Sequence, residues 1–168
     1  MKRHLEPLAI AANITQASFC RLDEVLLTFG YLVMQYQKMQ TDADDAAACA
    51  SIIASIEKRW AVSDQEIFVA AVLLNPFYRN TPFAPLSFLN NAGIRSLFVA
   101  LWKRFYRENP PDSFYTEISD YLGETGIFEN LKSEVNAALV VADRQVCSLI
   151  YQLKVSANPL FILCLSEG

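Results

Sequence analysis

The sequence predicts an all-α protein, an irregular bundle of five to seven helices, and three observations lead to this prediction. Apolar residues recur at spacings of three and four along most of the chain, which is typical of helices with one buried face. No stretch before residue 145 alternates with the period of two that marks a half-buried strand. Apolar residues make up 53% of the 168 residues and charged residues 19%, so the composition excludes an intrinsically disordered chain.

The first strong helical pattern runs from Phe19 to Met39, and we expect His4 to lie in a frayed terminus. One side of this helix carries the apolar stripe Leu22, Leu26, Phe29, Val33 and Tyr36. The opposite side is predicted to face solvent with Glu24, Thr28, Gln35 and Lys38.

Two further helices are predicted from their starting and ending signals. Thr41 and Asp44 have the spacing of a capping box, and the helix after them carries Cys49, Ile52, Ile56 and Trp60 inward. Ser63 and Glu66 form a second such pair, which opens a helix through Leu74. That helix must end there, because the residue before Pro76 is disfavoured in helical conformation.

The remaining chain is predicted to continue as loop and helix. Residues 75–85 contain three prolines and no period, so they form a loop whose aromatic residues pack on the bundle: Phe77, Tyr78 and Phe83. A fourth helix ends near Asn109 and buries Ile94, Phe98, Leu101 and Phe105. A fifth spans about 113–122 before Gly123, and a sixth begins near Thr125 and carries Phe128, Leu131, Val135 and Leu139 inward.

The residues that usually carry catalysis or bind metals are sparse. His4 is the single histidine, and no two of the four cysteines (Cys20, Cys49, Cys147 and Cys164) are close enough for a Cys-x-x-Cys pair. No glycine-rich phosphate loop occurs, and the acids mostly lie where helices begin. We therefore expect no self-contained active site, no metal, no cofactor and no small-molecule substrate. An independent enzyme with an unrecognised site is the least favoured alternative.

Basic residues beside aromatic ones are candidates for nucleic-acid binding. Lys58, Arg59, Trp60 and Arg79 form the predicted set, with Trp60 as a stacking partner. The segment Lys103–Arg107 has a similar character. The alternative is a basic helix end next to a buried aromatic ring. The net charge of −4 predicts that any binding is weak and sensitive to salt.

Two segments resemble hAT-family transposases, in particular their fungal branch. They are LEPLAIAANITQASFCRLDEVLLTFGYL (5–32) and SIEKRWAVSDQEIFVAAVLLNPFYRNTPF (55–83). In that family a helix end with a tryptophan precedes a short helix and a motif of leucine, Asn or Asp, proline and aromatic or basic residues. Here the motif is Leu74, Asn75, Pro76, Phe77, Tyr78 and Arg79. The resemblance covers about residues 5–143 and is specific over the two segments.

The resemblance implies an ancestral role in DNA transposition, within a larger RNase H-like architecture and in the nucleus. The family's three catalytic carboxylates lie outside the matched region. Ser166 and Glu167 do not reproduce the family's Ser-Glu-Arg motif, because Gly168 follows them. Two-metal phosphoryl chemistry requires those carboxylates, so we expect no DNA cleavage by this chain. A truncated gene and a domesticated protein are both compatible with this pattern.

The sequence divides into a helical domain of residues 1–143 and a divergent apolar tail of residues 144–168. Six consecutive apolar residues, 160–165, fall far short of the roughly 20 that a membrane span requires. We expect the chain to associate with itself or with full-length transposase relatives through residues 149–165. The alternatives are that the tail folds back on the helices, and that the chain is a cytoplasmic helical interaction module.

Overall fold

The computed structural model describes residues 2–41, 44–83 and 89–142, and in these ranges helices are joined by turns and short loops. The α-helices within them are α1 (Lys2–Thr15), α2 (Leu22–Met39), α3 (Ala46–Ala61), α4 (Gln65–Leu74), α5 (Asn91–Tyr106), α6 (Asp112–Gly123) and α7 (Leu131–Ala142), with a 3₁₀ helix at Gly126–Phe128. No strand occurs within these ranges, so the predicted all-α class is confirmed. No helix in them is long and apolar enough to cross a membrane.

The chain divides into two compact units. The described part of unit 1 lies within residues 2–72, and that of unit 2 lies within residues 73–142. The predicted tail of residues 144–168 lies outside the described residues, and so do Cys147 and Cys164.

Helix α2 is the centre of unit 1, because α1 and α3 both pack against it. Because two helices pack against α2, more than one stripe of its surface is buried. Thr28, on the side predicted to face solvent, is only 1% exposed. Its hydroxyl donates to the carbonyl oxygen of Glu24 at 2.7 Å, which satisfies the buried group. The prediction for Thr28 was therefore wrong. Leu22 in the first turn was predicted to be buried but is exposed.

The N-terminal residues form a helix rather than the predicted frayed terminus. Three contacts attach the start of α1 to the rest of unit 1. The Tyr36 hydroxyl donates to the His4 carbonyl oxygen at 2.6 Å, and the Asp45 carboxylate lies 3.1 Å from His4 Nε2 and 3.5 Å from Arg3 Nη1. Because Tyr36 is fully buried, its hydroxyl requires such a partner, and α1 supplies it.

Helix α3 buries Cys49, Ile53, Ile56 and Trp60. Ile53 is buried more completely than the predicted Ile52. The predicted capping box at Thr41 and Asp44 is wrong, because Asp45 is the residue that flanks α3 and Thr41 donates to the Lys38 carbonyl oxygen.

Helix α5 begins as Asn90 accepts a hydrogen bond from the Gly93 amide at 2.9 Å, and it buries Ile94, Phe98 and Leu101. It ends at Tyr106, three residues before the predicted Asn109, where Arg107 adopts a left-handed conformation with φ 57°. Phe105 was predicted to be buried and is 62% exposed.

The last described elements follow the predicted periodicity. The predicted fifth helix is α6, and Glu124, rather than Gly123, takes the left-handed conformation that ends it. The predicted sixth helix is divided into the 3₁₀ helix and α7, with a turn at residues 129–130 between them. The half-buried positions of α7 among residues 131–140 are the predicted Leu131, Val135 and Leu139, and the others in that range are exposed.

Candidate functional site

The family-like motif of residues 74–79 forms a tight turn at the end of α4. The Asn75 side-chain oxygen accepts the Phe77 amide at 2.9 Å, which makes an Asx turn around Pro76. The Asn75 carbonyl oxygen accepts the amides of Tyr78 at 3.0 Å and Arg79 at 2.9 Å. Asn75 and Tyr78 are buried and Phe77 is half-buried, as predicted for the aromatic loop. These hydrogen bonds turn the chain directly after α4, and the whole motif, including Arg79, lies in unit 2.

Arg79 caps the C-terminus of α6. Its guanidinium donates to the carbonyl oxygens of Tyr121 at 2.8 Å and Leu122 at 2.9 Å, and it pairs with the Glu124 carboxylate. The guanidinium carbon also lies 5.3 Å from the centre of the Tyr121 ring. A cation at a helix C-terminus compensates both the unpaired carbonyl groups and the negative end of the helix dipole. We call this set of contacts, formed by Arg79 with Tyr121, Leu122 and Glu124, the Arg79 clamp.

Tyr121 links the clamp back to the end of α4. Its hydroxyl donates to the Leu73 carbonyl oxygen at 3.0 Å, and its ring meets Phe128 edge-on at 5.2 Å between centres. The sequence separation from Leu73 is 48 residues, so this hydrogen bond joins distant parts of unit 2. Contacts with the last turn of α6 therefore fix the chain on both sides of the turn, at Leu73 just before the motif and at Arg79 at its end.

We expect the Tyr121 contact to make the stability of unit 2 sensitive to alkaline pH. Burial raises the pKa of the Tyr121 hydroxyl, and the nearby Arg79 cation opposes this effect only in part. A raised pKa in the folded state gives stability that is complete below the unfolded value of about 10 and is lost as pH rises through the folded pKa. The unfolding free energy of unit 2 should therefore fall above about pH 10.

The variant Tyr121→Phe tests this expectation. It should cost about 1 kcal/mol at neutral pH, because the buried Leu73 carbonyl loses its donor, and it should flatten the alkaline decline. Urea unfolding from neutral to alkaline pH measures both effects, monitored by Trp102 fluorescence in a Trp60→Phe background in which Trp102 is the sole tryptophan. Tyr115→Phe, at an exposed tyrosine in the same unit, is the matched control. An alkaline decline that is the same in both variants would contradict the assignment.

The nucleic-acid residues predicted from the sequence fall into two units. Lys58, Arg59 and Trp60 belong to the last turn of α3 in unit 1, and Arg79 belongs to unit 2. Lys58 and Arg59 are exposed, so their charged groups are accessible to a ligand. Arg79 is mostly covered, with 19% of its side chain exposed, and its contacts are with α6. Its placement favours a structural role over the predicted role in binding.

Trp60 lies in the core of unit 1. It is 3% exposed, and its ring centre is 6.0 Å from those of Phe29 and Phe68 on either side. Its carbonyl oxygen accepts the Ser63 hydroxyl at 2.7 Å and the Gln65 side-chain amide at 3.2 Å, which closes the end of α3. A ring packed in this way offers no face to a nucleotide base, so the predicted stacking role of Trp60 is not available in this structure.

Over residues 2–41, 44–83 and 89–142, no group of three or more His, Cys, Asp or Glu side chains is arranged to hold a metal ion. Of the cysteines within these ranges, Cys49 is buried and Cys20 is half-buried. Burial and the carboxylates of Glu24 and Asp23 raise the pKa of the Cys20 thiol, which disfavours the reactive thiolate.

No protein-family model, curated protein or solved structure matches this chain.

The sequence gives almost no signal for the partners of Arg79. Tyr121 and Glu124 lie more than 40 positions away from it, and neither belongs to a recognisable spacing pattern. The one local signal is the position of Glu124 directly after the glycine that was predicted to end the fifth helix.

Proposed function

We propose that this chain is a catalytically incomplete, hAT transposase-like helical module with an ancestral role in handling DNA ends and in assembly. The observation that supports this proposal is the Arg79 clamp. The motif on which the resemblance depends most specifically is the segment that fixes the end of α4 to the end of α6 within unit 2. A motif that joins two helices in this way has a structural role, as expected for a helical module without its own active site. The larger RNase H-like architecture and a nuclear location follow from the same proposal.

The proposed DNA contact is the basic pair Lys58 and Arg59. Both side chains are exposed in the last turn of α3, where they can reach phosphate groups. Two phosphate contacts on a duplex correspond to a slope of about −1.8 in a plot of log affinity against log salt. With a net charge of −4, the chain should bind no more tightly than about micromolar at physiological salt.

A titration of labelled duplex DNA at low and physiological salt tests this contact. The variant Lys58→Gln/Arg59→Gln should lose most of the binding and most of its salt dependence. The control Lys38→Gln/Lys132→Gln removes the same charge at positions elsewhere in the chain and should retain the binding. Equal losses in both variants, or tight binding that does not change with salt, would contradict the proposal.

The absence of catalysis is tested separately. Pure protein incubated with Mg²⁺ or Mn²⁺ and hairpin or nicked DNA should leave the DNA intact, because the family's three carboxylates are missing from the sequence. Gel electrophoresis of labelled DNA measures this. Cleavage that disappears when one of the chain's own acids is replaced would show that the chain is an enzyme and would overturn this part of the proposal.

A second candidate function is protein interaction through the C-terminal part of the chain. The observation that favours it is the exposure of apolar side chains around α7: Ile127 is 84% exposed and Val140 is 71% exposed. Leu131, Val135 and Leu139 are only half-buried. Apolar surface that is left in water favours association. The apolar sequence of residues 149–165 follows shortly after this helix.

Truncation after Asp143 tests this candidate. If residues 149–165 form an interface, the full chain should sediment as an oligomer and the shortened chain as a monomer that still melts cooperatively. The cut follows the last residue of α7 and leaves every described helix complete. Loss of cooperative melting in the shortened chain would show that the tail is part of the core, and the interaction proposal would then be wrong.

A further inference from the structure

A ladder of aromatic rings joins the end of α5 to the start of α6 in unit 2. Trp102 lies at its centre, with its ring centre 4.4 Å from that of Tyr106 and 4.9 Å from that of Phe114. Phe114 meets Tyr115 edge-on at 6.2 Å. Both ends of the ladder reach solvent, because Tyr106 is 62% exposed and Tyr115 is also exposed. The two rings in the middle, Trp102 and Phe114, are half-buried and contact the exposed rings at the ends.

The same surface has two features that suit a polar, anionic ligand with flat rings. Lys103, Arg104 and Arg107 are exposed neighbours of the ladder residues in the sequence, and they outnumber the two carboxylates between Trp102 and Tyr115, Glu108 and Asp112. The Arg104 guanidinium lies over the exposed Phe105 ring, 5.8 Å from its centre.

We propose that this surface, formed by Trp102, Phe105, Tyr106 and Tyr115 with Lys103 and Arg107, binds single-stranded nucleic acid. Bases stack on the exposed rings and the cations neutralise phosphates, which is how proteins bind single strands without reading their sequence. A duplex is a poorer ligand, because its bases already stack on one another. The inference is independent of the transposase-like proposal, whose contact residues are in unit 1.

The expected magnitudes follow from general values for single strands. Loss of one base–aromatic contact weakens binding about 5-fold to 150-fold. Each phosphate contact contributes about −0.7 to the slope of log affinity against log salt on a single strand. The pair Lys103 and Arg107 should therefore contribute about −1.4 to that slope.

The test is a fluorescence anisotropy titration with a labelled oligothymidine of about 12 nucleotides. Tyr106→Leu retains an apolar side chain but removes the ring, and it should weaken binding at least about 5-fold. Phe19→Leu is the matched control, because Phe19 is a 90% exposed aromatic residue in unit 1, and it should bind as the parent does. Lys103→Gln/Arg107→Gln should lower the salt slope, whereas Lys38→Gln/Lys132→Gln, which removes the same charge elsewhere in the chain, should leave single-strand binding unchanged.

A second measurement reports the site directly. In the Trp60→Phe background Trp102 is the sole tryptophan, and oligothymidine should quench its emission with the same midpoint as the anisotropy titration. Binding that survives Tyr106→Leu, or that leaves Trp102 emission unchanged, would overturn the proposal. The proposal would also be overturned if the parent chain does not bind the oligonucleotide but forms a dimer that Tyr106→Leu abolishes. The surface would then be a protein interface. Loss of duplex binding in Lys58→Gln/Arg59→Gln concerns the transposase-like proposal alone, so the two can fail separately.

Discussion

Replacing Arg79 by glycine is expected to lower the unfolding free energy of unit 2 by about 2 kcal/mol, although glycine suits the local backbone better. Arg79 has φ 51°, a left-handed conformation that costs about 1 kcal/mol for a residue with a Cβ atom and nothing for glycine. The loss of the Arg79 clamp outweighs this gain. Hydrogen bonds to a charged group contribute about 1.5–3 kcal/mol each, and the carbonyl groups at the end of α6 are left without their donor.

Arg107→Gly is the matched control for this substitution. Arg107 has nearly the same backbone conformation, with φ 57°, but it is exposed at the end of α5. Glycine there should stabilise the unit by up to about 1 kcal/mol. Urea unfolding in the Trp60→Phe background, monitored by Trp102, measures both variants against the same parent. If the two substitutions shift stability in the same direction, the clamp is not a stabilising feature.

Replacing Trp60 by alanine is expected to be the most damaging single change in unit 1, at about 3–5 kcal/mol of unfolding free energy. The indole fills the space between Phe29 and Phe68, and helices packed around a cavity of that size relax only partly. Trp60→Phe should cost less, since much of the ring contact remains. Far-UV circular dichroism during urea unfolding measures both variants.

The same pair of variants separates a core role for Trp60 from a role in binding. The folded Trp60→Phe variant should bind duplex DNA with the affinity of the parent, because the ring is not accessible to a base. The comparison is Arg59→Gln, which removes the charge next to Trp60. It should weaken duplex binding without altering stability, since the Arg59 side chain is exposed. A stable Trp60→Ala variant with reduced DNA affinity would reverse these assignments.

The parts of the fold that could be predicted from the sequence are those determined by local signals. The end of α4 at Leu74 follows from Pro76, and the half-buried stripe of α7 follows from residues spaced by four. These signals act within one or two helical turns, so no knowledge of the neighbouring helices is needed to interpret them.

The errors arose where a neighbouring element decides the outcome. Thr28 is polar and was placed on the solvent side, but α1 and α3 cover α2 from two directions. Phe105 continues the apolar spacing of α5, but no described element covers that position, and it remains exposed. Periodicity identifies the faces of a helix, whereas the number of partners that cover those faces is a property of the tertiary structure.

The candidate site shows the same division. Exposure of Lys58 and Arg59 at a helix end could be predicted, because cations are favoured near a C-terminus. The structural use of Arg79 could not, because its partners Tyr121 and Glu124 are distant in the sequence. A basic residue after an aromatic loop is equally compatible with a phosphate contact and with a helix cap until the helix that it reaches is known.

A double-mutant cycle between Arg79 and Glu124 tests the central claim, that the family-like motif acts as a clamp within unit 2. The four proteins are the Trp60→Phe parent, Arg79→Ala, Glu124→Gln and the double variant, and urea unfolding monitored by Trp102 gives their stabilities. We expect a favourable coupling energy of about 1–3 kcal/mol, as for side chains in direct contact within one network. Additive effects, with a coupling energy near zero, would contradict the claim that Arg79 and Glu124 stabilise unit 2 together. Arg79 would then again be a candidate for nucleic-acid binding.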